Sequence, residues 1–424
     1  MKQIRAIVVG FGDRGSIYSS YSLECPDELK VVGVVDINKE RLTLAKEIFH
    51  LKDEQLFTDL DKCLEQGLDC DLYINGTMDQ QHYEVLKKII KTKKAVLTEK
   101  PIVAKKEELF ELEELAKENN TLVFVGHVLR YTPFYKKIKQ LLLDSEIGEI
   151  RSMEMAEHVG FAHFAGSYIR GRWNNEQRCG STFLLAKSCH DIDIMCWLNN
   201  NTVPKYVSSF GGRYYFLEKN APKDSTDKCY ICPREETCYF SALNCYYRAN
   251  FSSEQTHIDK NKQTDEEIIN FLKNSNFGKC VYKISESNLV DRQVVNVEFD
   301  NGSVCTFTLV GGNSEACRTI TIIGERGEIS GKLEEGIIYL KKEKLLTTQP
   351  EITVIDVNDE LHNDSRMPGH SGGDYEIMKS IVHYMNGDKN IITITKLSDS
   401  INGHLCVYAA DEARLNHKVI ELKR

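Results

Sequence analysis

Three closely spaced glycines and a carboxylate some twenty residues later carry the most legible chemistry of this sequence. Gly10-Phe11-Gly12-Asp13-Arg14-Gly15 reads Gly-x-Gly-x-x-Gly. Gly10 permits a tight turn, Gly12 lets backbone approach a pyrophosphate, and Gly15 allows a helix to pack closely on a strand. The amides and dipole of the helix that opens there attract phosphates. The apolar run through Val34 and Val35 ends in Asp36. A carboxylate at that place accepts hydrogen bonds from both ribose hydroxyls and repels a ribose phosphate, so NAD is expected over NADP. Arg14 and Arg41, either of which can neutralise a phosphate, keep NADP open. Thr77-Met78-Asp79-Gln80-Gln81-His82 and Thr98-Glu99-Lys100-Pro101 each follow a further apolar run, at the strand ends where ligands of such sheets lie. A Lys between Glu and Pro at a strand end reads as a working ammonium; a solvated loop Lys is the bland alternative. Cofactor contacts are therefore expected from Gly10, Phe11, Gly12, Asp13, Arg14, Gly15, Asp36, Thr77, His82, Glu99 and Lys100.

A second constellation is Cys229-x-x-Cys232-x5-Cys238-x6-Cys245. A Cys-x-x-Cys pair places two thiolates on one metal, and two further cysteines complete a tetrahedron. A structural zinc is expected to order this loop, although the spacing is not that of a zinc ribbon. An iron–sulfur cluster, or free or disulfide-bonded thiols, are the alternatives.

The elements that must position these residues follow from periodicity. Ile4–Val9, Lys30–Val35, Asp71–Asn75, Ala95–Thr98 and Leu122–Val125 are β-branched-rich and read as buried parallel strands. Amphipathic stretches lie between them, such as 105–119 with Leu109, Leu112, Leu115 and Ala116 on one face. Strand–helix alternation predicts βαβ units. After Gly126 the texture changes. A helix (134–143), a strand (150–157), a polar and aromatic loop (158–180) and a helix (181–198) come first. An antiparallel meander over 294–355 follows, with an Asp300-Asn301-Gly302 hairpin turn. Helices near 373–386 and 397–415 close the chain. Thr264-x-x-Glu267 reads as a capping box that opens a helix.

Composition narrows the function classes. Acidic residues outnumber basic ones 63 to 54, a net charge of −9. Phosphate contact needs Lys and Arg, so nucleic acid is not an expected partner. The 41% hydrophobic and 28% charged residues are those of a folded globular chain, not a disordered one. No apolar run approaches the roughly 20 residues that span a membrane, so no membrane partner is expected. The run Ile4–Val9 is broken by Arg5 and enters a glycine turn, unlike a secretory signal. A cytoplasmic location is expected, with its 14 cysteines mostly reduced.

The ordered set Gly10–Gly15, Asp36, Thr77–His82, Glu99-Lys100-Pro101, Gly126-His127 with Arg130-Tyr131-x-Pro133, and His190-x-x-Asp193 resembles the glucose–fructose oxidoreductase / inositol dehydrogenase (Gfo/Idh/MocA) family. The resemblance covers residues 4 to about 200, and the later meander suits the family's second domain. It implies an α/β protein: an amino-terminal Rossmann domain (1–126) and a carboxyl-terminal α+β domain (127–424) with an open, mainly antiparallel sheet. An insertion near 215–280 and a late helix packed back on the first domain are expected. It also implies a homo-oligomer, dimer or tetramer, and an NAD(P)-dependent dehydrogenase acting on a carbohydrate or cyclitol CH-OH group. The family's catalytic lysine maps onto Lys100 and its histidine onto His190. Its usual Asp-x-x-x-His departs here to Ala186-Lys187-Ser188-Cys189-His190, leaving Lys187 or Asp191 to substitute. His190 suits a base and Lys100 an alkoxide-stabilising cation. Tyr168, Arg170 and Trp173, in a loop of aromatics and polar donors, are substrate candidates with Arg130 and Tyr131; a polar surface loop packed around one Trp is the alternative. His370, in Gly369-His370-Ser371-Gly372-Gly373-Asp374, either closes over substrate or merely precedes a helix cap. Two other functions stay open: transient oxidation that cleaves or modifies a glycoside without net redox, and non-catalytic binding of NAD or sugar.

Overall fold

The computed structural model describes residues 1–199, 201–251, 256, 258–360, 367 and 369–423. Its first sheet holds β1 (Ile4–Val9), β2 (Leu29–Val35), β3 (Leu56–Phe57), β4 (Leu72–Asn75), β5 (Ala95–Thr98) and β6 (Val123–Val125). All are parallel, in the order β3-β2-β1-β4-β5-β6. This is the doubly wound order, whose strand ends diverge at β1 and β4 and open a ligand crevice there. Side chains alternate across a strand. Ile4, Ala6 and Val8 of β1 therefore enter one core, shared with Tyr18, Tyr21, Ile377 and Ile381. Ile7 and Val9 enter the opposite core, shared with Leu86, Ile89, Leu109 and Leu112. Burial on both faces explains why these strands lack polar alternation.

The second sheet has nine strands: β7 (Ile150–Gly160), β8 (Pro204–Gly212), β9 (Arg292–Phe299), β10 (Val304–Asn313), β11 (Cys317–Gly324), β12 (Gly327–Lys332), β13 (Ile337–Lys342), β14 (Glu351–Asp356) and β15 (Ile420–Glu421). The order is β14-β13-β12-β11-β7-β10-β9-β8-β15. Only β7 and β10 run parallel. The Rossmann-like parallel sheet and the mainly antiparallel second sheet are those the sequence implied. In β9 and β10 one residue in two is buried, as one covered and one open face require. Helix Phe183–Leu198 lies on the covered face and is apolar around most of its circumference, because helix Leu397–Asn416 covers its other side. That last helix joins both halves: Leu397, Ile401 and Leu405 enter a core of the first sheet, and Cys406, Val407 and Ala410 enter that of the second.

The expected meander is corrected. β9 and β10 form the Asn301-Gly302 hairpin, with Gly302 at φ 83°, but β7 separates β10 from β11. β7 pairs along both of its edges, with β10 and with β11, which chain-local periodicity does not reveal. The loop 158–180 is also more ordered than expected. β7 runs on to Gly160, then Phe161–Phe164 and a π-turn at Ala165–Ile169 follow. In the insertion, Thr264 and Glu267 form the capping box of helix Asp265–Asn274. Ile268 and Leu272 of that helix pack on Cys229, Cys245 and Tyr246 in a small separate core.

Candidate active site

The glycine turn takes the shape its residue types demand. Gly10 has φ +85°, and a Cβ there would stand 2.8 Å from the Gly76–Thr77 backbone. A Cβ on Gly15 would meet the Gly10 carbonyl at 2.0 Å, whereas one on Gly12 would find its nearest atom, Arg41 Nη1, at 3.5 Å. Gly10 and Gly15 thus serve the fold, and Gly12 keeps open the surface a pyrophosphate would approach. Asp36, buried at the end of β2, accepts from Phe11 N and Asn38 N, both at 2.8 Å. Arg41 stands 3.6 Å from it. The Phe11 side chain is core, edge-on to Phe49. Asp13 is exposed, with Arg172 at 3.9 Å across the cleft.

Several expected cofactor contacts are engaged elsewhere. Arg14 donates 2.7 Å bonds to Glu99 and to Asp374, and lies over the Tyr18 ring. Glu99 is buried and also takes the Tyr18 hydroxyl at 2.5 Å. Burial alone would raise its pKa, but the Arg14 and Lys100 charges hold it below the usual range. Arg14 is therefore not free to neutralise a ribose phosphate, and Glu99 is not free to meet a cofactor. The His82 ring lies between the carbonyl oxygens of Pro101 (2.6 Å) and Thr77 (3.0 Å). It braces the Glu99-Lys100-Pro101 loop against the β4 loop. Ile102 N donates to His404 Nε2 at 3.0 Å and Tyr408 donates to Val103 O at 2.7 Å, so the last helix fixes the other side of that loop. Lys100 is joined to Pro101 by a cis bond, and its Nζ donates to Ala186 O at 2.8 Å.

Helix Phe183–Leu198 brings Lys187, His190 and Asp191 to the same region. His190 is buried, its Nδ1 has no hydrogen-bond partner among the described residues, and its ring stands 5.6 Å from His127 and 6.2 Å from His370. Burial, and then the Lys100 charge, push its pKa well below the ordinary histidine value. Lys187 lies 3.3 Å from Glu157, and burial lowers its pKa. Arg318 links Glu157 (2.5 Å) to Asp191 (2.9 Å). Burial pushes Asp191 up although Arg318 opposes it. His163, half-buried near Lys187 and Arg318, is pushed down to about 3, chiefly by desolvation. The region thus combines neutral imidazoles, two ammonium groups and a partly compensated guanidinium. Such a set can orient a hydroxyl and stabilise an oxyanion. Glu157, Arg318, His163 and Asp374 lack a local motif; each reaches the site from a distant strand, turn or helix.

Three substrate candidates are engaged within the protein's own packing. Arg130 is buried in a bidentate pair with Asp193, both bonds 2.6 Å, and bonds to the Asp399 carbonyl. A guanidinium so satisfied is structural. Tyr131 is buried too, its hydroxyl taking Thr395 N at 3.0 Å. Arg170 is buried among Lys279 O, Tyr246 Oη, Cys229 Sγ and Phe240 O; it fastens the insertion to the π-turn. Tyr168 packs against Phe183 (4.7 Å) and His163 (5.8 Å). Trp173 donates to Asp79 at 3.3 Å, so these two border the cleft between the sheets.

The expected metal clip finds no support in the arrangement of its cysteines. Among the described residues no group of three or more His, Cys, Asp or Glu is arranged to hold a metal ion. Cys245 turns its thiol to Tyr239 O (3.1 Å) and Cys229 to Lys279 O (3.6 Å). Cys229, Cys232 and Cys238 do line one pocket, joined by Cys280 instead of Cys245. All fourteen cysteines are free.

Comparison with known proteins places this architecture. A model of the oxidoreductase family's NAD-binding Rossmann fold matches residues 4–127, and one of its C-terminal alpha/beta domain matches 139–422. YteT of Bacillus subtilis (strain 168), named as an oxidoreductase, is 23% identical over 366 residues, 83% of this chain and 82% of its own. An oxidoreductase from Agrobacterium radiobacter, solved with NAD+, L-tartaric acid and magnesium, superposes with a TM-score of 0.69 at 13% identity, covering 99% and 98% of the two chains. The WlbA dehydrogenase from Bordetella pertussis, solved with NADH and UDP-GlcNAcA, does so with a TM-score of 0.66 at 14% identity, covering 100% and 99%. With both family models matched across its two sheets, this chain belongs to the Gfo/Idh/MocA oxidoreductase family.

Proposed function

We propose that the chain is an NAD-dependent dehydrogenase acting on a CH-OH group of a carbohydrate or cyclitol. The observation that supports this reading is that Lys100, just after β5, bonds to Ala186 O of the helix that carries His190, at the carboxyl edge of the sheet whose β1 and β2 lead into the glycine turn and Asp36. NAD fits the residues there: Gly12 leaves a pyrophosphate its approach, and Asp36 presents a buried carboxylate to a ribose. The commitment of Arg14 to Glu99 and Asp374 favours NAD over NADP. Bound nicotinamide supplies a hydride acceptor. Lys100 holds an ammonium where the substrate oxygen gains charge, and His190 handles the hydroxyl proton with it. Lys187 and Asp191 reach the same pocket, and Tyr168 and Trp173 offer aromatic faces to a sugar. In this reading residues 1–126 bind the cofactor and 127–424 the substrate. Free thiols and NAD chemistry fit a cytoplasmic enzyme, and no helix among the described residues is long and apolar enough to cross a membrane. Exposed apolar side chains on the outer strands, such as Ile352 and Val354, would be covered in a homo-oligomer.

The test is a panel of sugars, cyclitols and glycosides, assayed with NAD for NADH absorbance and for product. NADH accumulating with a polyol supports the reading. Product without NADH replaces it with redox-neutral sugar modification. NAD binding without turnover on any compound leaves a binding protein.

A further inference from the structure

The turn before helix Gly373–Met385 is built for something the chemistry above does not use. His370 and Ser371 both hold positive φ, 50° and 51°, and Gly372 follows at 82°. Two successive non-glycine residues in the left-handed region persist only where the surroundings impose them. The outcome is that His370 Nδ1 stands 3.0 Å from Asp374 Oδ2. Asp374 is fully buried, and its other oxygen takes Arg14 Nη2 at 2.7 Å. Burial would raise the pKa of this carboxyl, but His370 and Arg14, both hydrogen-bonded to it, hold it below the usual carboxylate range. An ionised carboxylate only accepts, so the Nδ1 that meets it carries a proton and Nε2 is the ring nitrogen turned away from Asp374. No described residue bonds to Nε2. The ring faces His190, 6.2 Å away. His190 has no such carboxylate: its Nδ1 is unpartnered among the described residues, and Lys100 disfavours a second cation there.

We propose that His370, oriented by Asp374, is the terminal proton acceptor of the oxidation. This rests on the dehydrogenase reading above. A substrate hydroxyl lodged beside the two imidazoles gives its proton through His190 to His370 Nε2. The C–H bond of that carbon breaks and leaves with its electron pair as hydride to the oxidised nicotinamide. The O–H electron pair becomes the second C–O bond. The carbon is oxidised, the nicotinamide is reduced, and the proton remains on an imidazolium that Asp374 compensates. The groups that face His370 are Asp374, with Arg14 across it, and His190 and His163 from the second half of the chain.

The experiment uses the full chain with NAD and the substrate identified by the panel. It compares the wild type with His370→Ala, His370→Gln and Lys100→Met. Expected is a loss of about a hundredfold or more in kcat for both His370 variants. KM and NAD affinity stay within about threefold, the acid limb of the kcat–pH profile disappears, and added imidazole partly restores His370→Ala. A kcat within about threefold of the wild type, or a loss that imidazole does not restore, overturns the proposal. An inactive Lys100→Met beside a normal His370→Ala removes the acceptor and leaves the dehydrogenase standing. A wild type that binds NAD but turns over nothing on the panel removes the dehydrogenase, and the acceptor with it.

Discussion

Lys100 and His190 sit in settings that assign them different work. Lys100 keeps its ammonium against the Ala186 carbonyl at the edge of the cleft, while burial and the Lys100 charge hold His190 neutral. In the proposed dehydrogenase, Lys100→Met removes the charge that would meet a developing alkoxide, and His190→Ala removes the imidazole that would handle the hydroxyl proton. Each is expected to lower turnover by about a hundredfold or more, with NAD affinity retained. NADH formation and a cofactor titration check both. At Asp36 the expectation concerns the cofactor: NAD binds more tightly than NADP. Asp36→Ala weakens NAD by roughly thirtyfold, as the loss of two ribose hydrogen bonds worth about 1 kcal/mol each implies. Fluorescence titration with both nucleotides decides this, and tighter NADP binding by the wild type would refute it.

At the scale of elements, the turn between β1 and the helix Asp13–Glu24 separates folding from binding. Gly15→Ala forces a methyl onto the Gly10 carbonyl, 2.0 Å from where the Cβ would stand. The backbone must shift, at a cost of about 1–3 kcal/mol, so melting temperature and NAD affinity both fall. Gly12→Ala meets nothing closer than the tip of Arg41 at 3.5 Å. Its melting temperature should stay near that of the wild type while NAD binding is lost. Calorimetry beside a binding titration on the two variants tests the distinction. The glycine turn, Asp36 and the strand-end Lys100 were legible in the sequence because each is a local requirement, set by backbone sterics or by the end of a strand. Arg14 and Glu99 were legible as site residues, but not as partners of each other and of Asp374. That pairing joins residues far apart in the chain.

Over the whole molecule, the buried imidazoles make folding sensitive to acid. Burial pushes His163 and His404 down to about 3, and His127 and His190 are also lowered by burial. An unfolded chain takes up these protons near about pH 6.5, whereas folded His163 and His404 do not until about pH 3, and folded His127 and His190 only well below the ordinary value. The unfolded state therefore binds more protons between those values, and stability falls as pH drops through that window. The depressed Asp374 carboxyl adds to the loss below about pH 4. A melting temperature that declines steadily from pH 7 to pH 4 is expected, and a flat profile would refute the assignment of neutral buried histidines.

The sequence by itself determined the alternation of strand and helix in the first half, the glycine turn, the carboxylate that follows β2 and the hairpin at Asn301-Gly302. These follow from local rules of chirality, periodicity and turn geometry acting within a few residues. Only the tertiary structure decided the rest. It set β7 between β10 and β11, turned Arg130, Tyr131 and Arg170 into buried fasteners, and left the four clustered cysteines without a metal-holding arrangement. It also brought His370 and Asp374 from the far end of the chain to face His190. Whether a charged side chain meets substrate or a buried carboxylate depends on which distant element packs over it, and periodicity along the chain carries no record of that.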